Sequence, residues 1–304
     1  MARVNLVGGL GNQLFQYYAG LYLVNGDSEQ LLIDSTFSLF GRTGHSASIS
    51  GLGLPGKFIE ATSDNKVLLS LAIFRRNWEK TLSRLGSKFQ FLIPNHNWFV
   101  SEVVGFDPML NPRTSNTNLS IWGFFQTWRY SKSLMDQGVF PRPSLANPSD
   151  WYRWQLGQQG LGKTLVLHVR RGDYIKHDES IGLLSAEYYS RAIEDLRNLG
   201  ARWVNGWIYT DDPETVEAEF SQLIKKENLK VVRPPSSALP GESLLAMTEA
   251  EFLVIGNSSF SWWSAFLSAR AEKVVRPEKW FRGLADPADL FPDDWVPAKS
   301  YWND

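Results

Sequence analysis

The first residues that could do chemistry stand at 164–175, TLVLHVRRGDYI, where an apolar run leads into two adjacent arginines. Side chains alternate along a strand, so His168 and Arg170 should share one face and Arg171 the other. Arginine keeps its charge and offers a planar fork of donors that matches phosphate oxygens. The segment predicts an anion site at the end of a buried strand, although an Arg171–Asp173 pair that only closes the strand fits equally well.

A glycine turn near the start of the chain, VGGLGNQLFQ, lies between a predicted strand and a predicted helix. Gly9 and Gly11 would let backbone N–H groups approach an anion at the start of the helix. Asp34 follows at the end of the next strand, as in a dinucleotide-binding fingerprint, but Leu14 stands where the third glycine is expected. NAD binding is therefore disfavoured, and a plain turn with Asn12 as the helix cap remains an alternative.

A similar strand, polar turn and helix are predicted at 252–269, FLVIGNSSFSWWSAFLSA. The hydroxyls of Ser258 and Ser259 and the start of the helix could hold phosphate together. Simple helix capping by Asn257 or Ser258, with Phe260 in the core, is the alternative.

Two adjacent aspartates precede another predicted helix in IYTDDPETVE. Because Pro213 suits the first helical position, Asp212 is the expected N-cap. Asp211 is then the freer side chain, able to accept hydrogen bonds from a base edge. A metal site is disfavoured, since no histidine or further carboxylate cluster accompanies the pair.

Short apolar runs alternate with helical patterns, which indicates βαβ units and parallel sheets. The expected fold class is α/β, with two Rossmann-like domains facing a cleft, spanning residues 1–150 and 151–304. The proline-rich segment 140–150 is the expected linker. Expected strands are 3–8, 30–34, 119–126, 164–169, 203–210, 229–232, 252–257 and 272–275. Expected helices are 13–24, 67–85, 186–199, 213–226, 244–249 and 260–269.

The composition is that of a soluble globular protein: 304 residues, 43% hydrophobic and 21% charged, with a net charge of −1. Because the net charge is near zero, the chain as a whole has no electrostatic attraction to nucleic acid. The lack of cysteine excludes disulfides and thiolate chemistry. No signal peptide or spanning apolar run is evident, so we expect a cytoplasmic protein without a transmembrane segment. Most of the 13 tryptophans should be core residues, and a few could form platforms for sugar rings.

Several motifs together resemble those of the bacterial α-1,2-fucosyltransferases of glycosyltransferase family eleven. The resemblance rests on GGLGNQLFQ, HVRRGDY and NSSFSWW, and it continues in WGFFQTWRY, LSAEYYSRAI and VVRPEKWF. It touches most of the chain except residues 35–118. The resemblance implies a GT-B-like fold. It also implies an inverting transfer of L-fucose from GDP-β-L-fucose to the 2-hydroxyl of a terminal β-galactoside, without a cofactor or a required metal.

The same resemblance implies a role for each matching residue. Arg170 would bind the β-phosphate and stabilise leaving GDP, and His168 and Asp211 would contact the guanosine. Arg171 and Asp173 would shape the donor site. The other implied donor-binding residues line the diphosphate or close over it and the fucose: Ser258, Ser259, Phe260, Gly9, Gly11, Asn12 and Gln13. The first domain would be the acceptor side and the second the GDP-fucose side.

The base that deprotonates the acceptor is left open by the sequence. His177, Asp178 and Glu179 follow the arginine motif, and a carboxylate matches Asp178 in the related α-1,6 enzymes, so Asp178 is the candidate. A solvated polar loop, a base such as Asp34, and a loose mechanism with little need of a base are the alternatives.

Three other functions remain possible from the sequence. The chain could transfer another sugar from a GDP donor or form a different fucosyl linkage. It could be a non-catalytic carbohydrate-binding protein that uses its tryptophans, although such a protein would not need the phosphate-suited residues. A NAD-dependent oxidoreductase is the third, and the missing glycine disfavours it.

Overall fold

The structure, a computed structural model, describes residues 1–36, 48–59, 96–101, 103–112 and 118–303. The chain forms two compact units. Unit 1 comprises Met1–Ser144 with Pro287–Phe291, and unit 2 comprises Leu145–Asp286 with Pro292–Asp304. The boundary between the two units at Ser144 and Leu145 lies within the proline-rich segment 140–150. The short segment Pro287–Phe291 belongs again to unit 1.

Unit 1 is built on a parallel sheet whose described strands have the order β3-β2-β1-β5-β4. Its strands are β1 (Ala2–Asn5), β2 (Leu31–Asp34), β3 (Lys57–Ile59), β4 (His96–Val100) and β5 (Asn118–Trp122). Helices α1 (Leu10–Leu23) and α2 (Arg129–Asp136) accompany it. Short 3₁₀ helices lie at Ser28–Gln30 and Ser48–Leu52. The predicted helix at 67–85 lies outside the described residues.

The predicted ends of several elements in unit 1 were wrong; strand β1, for example, ends at Asn5 instead of Gly8. Helix α1 begins at Leu10 with Gly9 as its N-cap, three residues before the expected start, so Asn12 is not the cap. Strand β5 ends at Trp122 instead of Gln126. Phe125 adopts a φ of 53°, which is left-handed backbone that no regular strand accommodates.

Unit 2 is built on a parallel sheet whose described strands have the order β11-β10-β9-β6-β7-β8. Its strands are β6 (Thr164–Val169), β7 (Asn205–Thr210), β8 (Leu229–Val231), β9 (Phe252–Val254), β10 (Lys273–Pro277) and β11 (Val296–Ala298). Its helices are α3 (Asp150–Gln159), α4 (Ala186–Asn198), α5 (Pro213–Glu219), α6 (Ser221–Glu227), α7 (Pro240–Met247) and α8 (Ser259–Leu267). The expected helix 213–226 is thus two helices, which meet at the fully buried Phe220.

The core of unit 2 orients the arginine motif. Leu165, Leu167 and Val169 of β6 point into one buried cluster with α4, where Tyr188 and Ile193 are fully buried. Since β6 lies between β7 and β9 and all run parallel, their carboxyl ends meet at one edge of the sheet. The loops that follow β6, β7 and β9 therefore start side by side, and they carry most of the polar residues singled out in the sequence.

Among the described residues, no helix combines the length and the apolar character that crossing a membrane requires.

Candidate functional site

Arg170 follows β6 directly and is the central cation of the site. Its Nη2 lies 2.6 Å from Oδ1 of Asp173, and its Nε lies 3.2 Å from Oδ2 of Asp211. The side chain keeps 22% of its surface exposed. Burial alone would lower the pKa of Arg170, but Asp211 and then Asp173 outweigh it and raise that pKa above its ordinary value. The guanidinium is thus a fixed positive charge that solvent can still reach.

Arg171 has the opposite environment, as the alternation of side chains predicts. Its side chain is 1% exposed and its guanidinium lies 5.1 Å from the ring centre of Phe220, on the core face. It donates to Glu219 (2.8 Å), to the Arg170 carbonyl (2.9 Å) and to the Leu184 carbonyl (3.0 Å). The alternative Arg171–Asp173 pair is wrong, because the guanidinium that reaches Asp173 is that of Arg170. Arg171 therefore supports the fold beneath the site.

Asp211 is not the freer of the two aspartates, contrary to the sequence-based expectation. Its Oδ1 accepts from the backbone N–H of Arg171 at 2.8 Å, and its Oδ2 pairs with Arg170. Asp212 is the N-cap of α5, as predicted, and accepts from the backbone N–H of Thr215 at 3.1 Å. Asp211 thus ties the end of β7 to the arginines at the end of β6.

Gly172 makes this close approach possible. A Cβ at this position would collide with Oδ2 of Asp211, and the residue has a φ of +23°. A side chain would push Asp211 away from Arg170. The glycine of the RRGD motif is therefore a packing requirement of the site.

His168 is buried at 5% exposure, and its ring lies 5.6 Å from that of Phe260 at the start of α8. Burial, and secondarily the charge of Arg170, lower the pKa of His168 to about 3, so the ring is neutral at pH 7. Its Nδ1 has no hydrogen-bond partner among the described residues. A buried polar atom of this kind suits a ligand or an ordered water.

Tyr174 joins two of the loops, and sequence reasoning did not single it out. Its ring centre lies 5.4 Å from the Arg170 guanidinium, and its hydroxyl donates to the backbone carbonyl of Asn257 at 3.1 Å. Burial raises the pKa of Tyr174 to about 12, against a lowering effect of Arg170, so the hydroxyl keeps its proton. An aromatic ring directly after RRGD was the signal available in the sequence.

The start of α8 lies in the third loop. Ser258 is the N-cap and accepts from the backbone N–H of Phe260 at 3.3 Å, so the capping alternative is confirmed for Ser258. Asn257 instead donates to the carbonyls of Ile181 and Gly182 at 3.1 and 3.0 Å. The first turn of α8 has no acidic residue, which leaves its positive dipole end uncompensated. The turn thus offers N–H groups to an anion, while Ser259 and Phe260 stay partly exposed.

Asp178, the candidate base, is held by two donors. Its Oδ1 accepts from the backbone N–H of Leu183 at 2.6 Å, and its Oδ2 lies 3.0 Å from Nη1 of Arg282. The same Arg282 nitrogen also donates to the carbonyl of Asn303 at 2.9 Å. These contacts give Asp178 a clear structural role in the loop after the arginine motif. Arg282 is a second residue that sequence reasoning missed.

The glycine turn lies in unit 1 and is fixed by amide side chains. Gln13 is fully buried and donates to the Gly8 carbonyl at 2.9 Å. Gln16 accepts from the backbone N–H of Val7 at 2.9 Å. Asn12 accepts from Nε2 of Gln126 at 2.8 Å. No acidic residue occupies the first turn of α1, so Gly9 and Gly11 lie at a second uncompensated helix start.

Asp34, an alternative base, is engaged in an ion pair within the sheet of unit 1. It is 3% exposed and forms an ion pair with Arg3 of the neighbouring strand β1. Burial would raise the pKa of Asp34, but hydrogen bonds from Thr36 and the Arg3 charge hold it below its usual value. A carboxylate stabilised in this way is a weak proton acceptor.

The site of unit 2 therefore combines a fixed guanidinium, a neutral buried imidazole and an uncompensated helix start at one sheet edge. These groups suit a phosphorylated ligand with an aromatic portion. Within the described ranges, no cluster of three or more His, Asp or Glu residues is placed to hold a metal ion.

Comparison with known proteins adds the family. The family model described as glycosyl transferase family 11 matches residues 85–296. The O-antigen biosynthesis glycosyltransferase WbnK of Escherichia coli is 25% identical over 307 residues, covering 96% of this chain and 98% of that protein. An α-1,2-colitosyltransferase of Escherichia coli is 24% identical over 309 residues, covering 96% of each chain.

Among solved structures, the chain is similar to the NodZ α-1,6-fucosyltransferase soaked with GDP-fucose. The TM-score is 0.52 with 15% identity, over 90% of this chain and 93% of that chain. A structure of NodZ from Bradyrhizobium gives the same TM-score with 14% identity. The expected α/β, GT-B-like fold class is thereby confirmed, with parallel sheets in both units.

Proposed function

The chain belongs to glycosyl transferase family 11, and from that premise we propose that it transfers L-fucose from GDP-β-L-fucose to the 2-hydroxyl of a terminal β-galactoside. The reaction would invert the anomeric centre and give an α-1,2 linkage. The observation that carries the proposal is Arg170, a solvent-accessible guanidinium at the same sheet edge as the uncompensated start of α8.

The donor would bind with its diphosphate at this edge. Arg170 would hold the β-phosphate, and Ser258, Ser259 and Phe260 at the start of α8 would line the same diphosphate. As the bond between the anomeric carbon and the β-phosphate oxygen breaks, negative charge grows on leaving GDP. Arg170 is already held in place by Asp173 and Asp211, so little reorganisation is needed when the charge develops. These groups are the ones we propose to act in place of a metal ion.

The guanosine would lie near His168, on the face opposite the core. A neutral imidazole whose Nδ1 has no partner among the described residues could accept a hydrogen bond from the base or ribose. The family resemblance suggests that Asp211 contacts the guanosine. For this to occur, the bound donor must loosen the contacts of Asp211 with Arg170 and with the backbone of Arg171. The similarity to NodZ, which was soaked with GDP-fucose, supports this donor.

The last step to assign is proton removal from the acceptor hydroxyl. Asp178 has both carboxylate oxygens engaged, and Asp34 has a lowered pKa. We propose a loose transition state in which bond breaking to GDP precedes most of the attack, so that little base assistance is needed. The acceptor proton is then lost late, to water or to Asp178.

The test is incubation of the purified protein with GDP-β-L-fucose and lactose in the presence of EDTA, followed by NMR of the product. We expect an α-1,2-linked fucosyl group and release of GDP. Release of GDP without a fucosylated product would contradict the proposal that a terminal β-galactoside is the acceptor. Activity that EDTA abolishes and Mg²⁺ restores would contradict metal-independent transfer.

A second candidate is transfer of a different deoxy sugar from a GDP donor. The 24% identity to an α-1,2-colitosyltransferase over 96% of each chain favours it. Colitose differs from fucose by lacking one ring hydroxyl, so competition between GDP-fucose and GDP-colitose separates the two candidates. A higher kcat/KM for GDP-colitose than for GDP-fucose would show that colitose, and not fucose, is the preferred transferred sugar.

A further inference from the structure

The parallel sheet of unit 1 has a topological switch point between the neighbouring strands β1 and β5. From β1 the sheet continues on one side through β2 and β3, and on the other through β5 and β4. In open parallel sheets, ligands bind beyond the carboxyl ends of the strands at such a point. The two loops concerned are the glycine turn after β1 and residues 123–127 after β5, which we call the β5 turn.

The β5 turn is held to the glycine turn and to α1 by amide side chains. Nε2 of Gln16 donates to the carbonyl of Gly123 at 3.0 Å, and Nε2 of Gln126 donates to Oδ1 of Asn12 at 2.8 Å. Between these anchors, the buried Phe125 adopts a φ of 53°. Such backbone persists only where the surroundings fix it, so the β5 turn has one defined shape.

Two side chains of this turn have no structural explanation. Phe124 is 43% exposed although both of its neighbours in the turn are fixed. Gln126 is only 7% exposed, and its Oε1 has no hydrogen-bond donor among the described residues. A buried acceptor without a donor costs free energy, which a ligand hydroxyl could recover. Since the other amide atom of Gln126 bonds to Asn12, this amide lies between the two loops.

The polar side chains that the structure describes between these two turns, Asn12 and Gln126, are uncharged. The arginines nearest in sequence, Arg3 in β1 and Arg129 after the β5 turn, are paired with Asp34 and Asp289. A phosphate would require an available cation here. An exposed aromatic residue two positions before an amide with an unpaired acceptor instead suits a neutral sugar, whose C–H face is apolar and whose edge carries hydroxyls.

We propose that the glycine turn and the β5 turn together form a sugar-binding subsite for the acceptor, with Phe124 as its stacking platform. Asn12 and Gln126 would hydrogen-bond the hydroxyls of the same sugar ring. The assignment to the acceptor rests on the proposed function, because that reaction brings a neutral galactoside to the enzyme. The sugar contacts themselves rest only on the geometry of unit 1.

The test is the binding of lactose and N-acetyllactosamine to the full chain in the presence of GDP, measured by titration calorimetry and saturation-transfer NMR. In Phe124→Ala and Phe124→Leu we expect Kd to rise about tenfold, since both lose the flat ring. Phe124→Trp keeps a ring and should bind within about twofold of the original chain. The matched control is Trp154→Ala, which removes an aromatic residue that is 56% exposed on α3 of unit 2.

Each outcome bears on the subsite. Lactose affinity that does not change in Phe124→Ala, or no lactose binding to the original chain, would overturn it. A raised KM for GDP-fucose with an unchanged KM for lactose would overturn the assignment to the acceptor. If the chain binds lactose through Phe124 but forms no fucosylated product, the subsite stands and the proposed donor or linkage fails. Unfolding midpoints that match between variants confirm that the comparison reports binding.

Discussion

The two adjacent arginines show how much the role of a residue depends on which face of a strand it occupies. Arg170 remains accessible to solvent, whereas Arg171 is 1% exposed and bonded to Glu219 and two carbonyls. Their substitution should therefore have different physical consequences, one on the rate of reaction and the other on the free energy of unfolding.

For Arg170→Ala, we expect the rate of transfer to fall about 10²–10³-fold with little change in the unfolding midpoint. For Arg171→Ala, we expect the free energy of unfolding to fall by about 1–3 kcal/mol, since the buried carbonyl of Leu184 loses its donor. Steady-state kinetics and urea unfolding of both variants measure this. Equal residual activities together with equal stabilities would contradict the division of roles.

His168 makes a pH-dependent contribution to stability. Its pKa is about 3 in the folded chain and near 6.5 when exposed, so between these values the unfolded state binds a proton that the folded state does not. The free energy of unfolding should therefore decrease as the pH falls below 6.5, by about 1.4 kcal/mol per pH unit from this residue. Urea unfolding at pH 7.5, 6.0 and 5.0 should show a steeper decrease for the original chain than for His168→Asn. Parallel curves would mean that the histidine is not buried in its neutral form.

Sequence patterns predicted single residues well where the deciding contacts are local. The alternation in TLVLHVRR correctly separated His168 and Arg170 from Arg171, and Pro213 correctly marked Asp212 as a helix cap. The partners of Arg170 and Asp211 depend on neighbouring strands and could not be read from spacing. The proposed sugar contacts of the β5 turn depend likewise on a positive φ at Phe125, which no letter in WGFFQ predicts.

At the scale of elements, the site depends on the close approach of the loop after β6 to the loop after β7. Gly172 lies where these loops meet, since any Cβ would collide with Asp211. Gly172→Ala should displace Asp211 from both arginines and weaken GDP binding about tenfold or more, with a loss of stability. Thermal protection by GDP measures the effect.

Gly157→Ala is the matched control for this substitution. Gly157 lies in α3, where a Cβ would meet nothing within 4 Å. Alanine there should leave GDP binding unchanged and stabilise the helix by about 0.5–1 kcal/mol. If both variants retain full protection by GDP, the packing of Gly172 on Asp211 does not matter for the site.

Helix and strand cores were easier to predict than element ends. Strand β6 spans the predicted residues, but α1 starts three residues early and the helix expected at 213–226 divides at Phe220. The division follows from burial of the Phe220 ring, which contacts Tyr189 and Arg171. Tertiary packing of this kind leaves no local sequence signal.

At the scale of the whole molecule, residues 301–303 close onto the loop that follows the arginine motif. The backbone N–H of Asn303 donates to Leu183, and that of Ser185 donates to Tyr301. Arg282 bridges Asn303 to Asp178, and the ring of Trp302 packs against Gly182. The loop after the arginine motif is thus supported by residues about a hundred or more positions further along the chain.

Deleting residues 301–304 should therefore weaken GDP binding without removing any residue that we propose to contact the donor. We expect Arg282→Met to show part of the same loss, since it breaks the bridge and keeps the side-chain length. Calorimetric titration with GDP measures both, and Lys279→Met serves as a control for loss of a nearby positive charge. Unchanged GDP affinity in the truncated chain would show that the loop holds its shape unaided.

The return of Pro287–Phe291 to unit 1 has a consequence for how such enzymes can be recombined. This segment supplies carbonyls to Phe106 and Thr127, and its Ala288 backbone packs against Gly105. A chimera with a single junction near residue 144 would take residues 1–144 from one parent and Pro287–Phe291 from the other. The two parts of unit 1 would then come from different proteins and would not be matched in packing. Exchange of unit 1 between relatives must therefore carry two pieces of chain together, and homologous recombination at a single junction would rarely yield a well-packed hybrid.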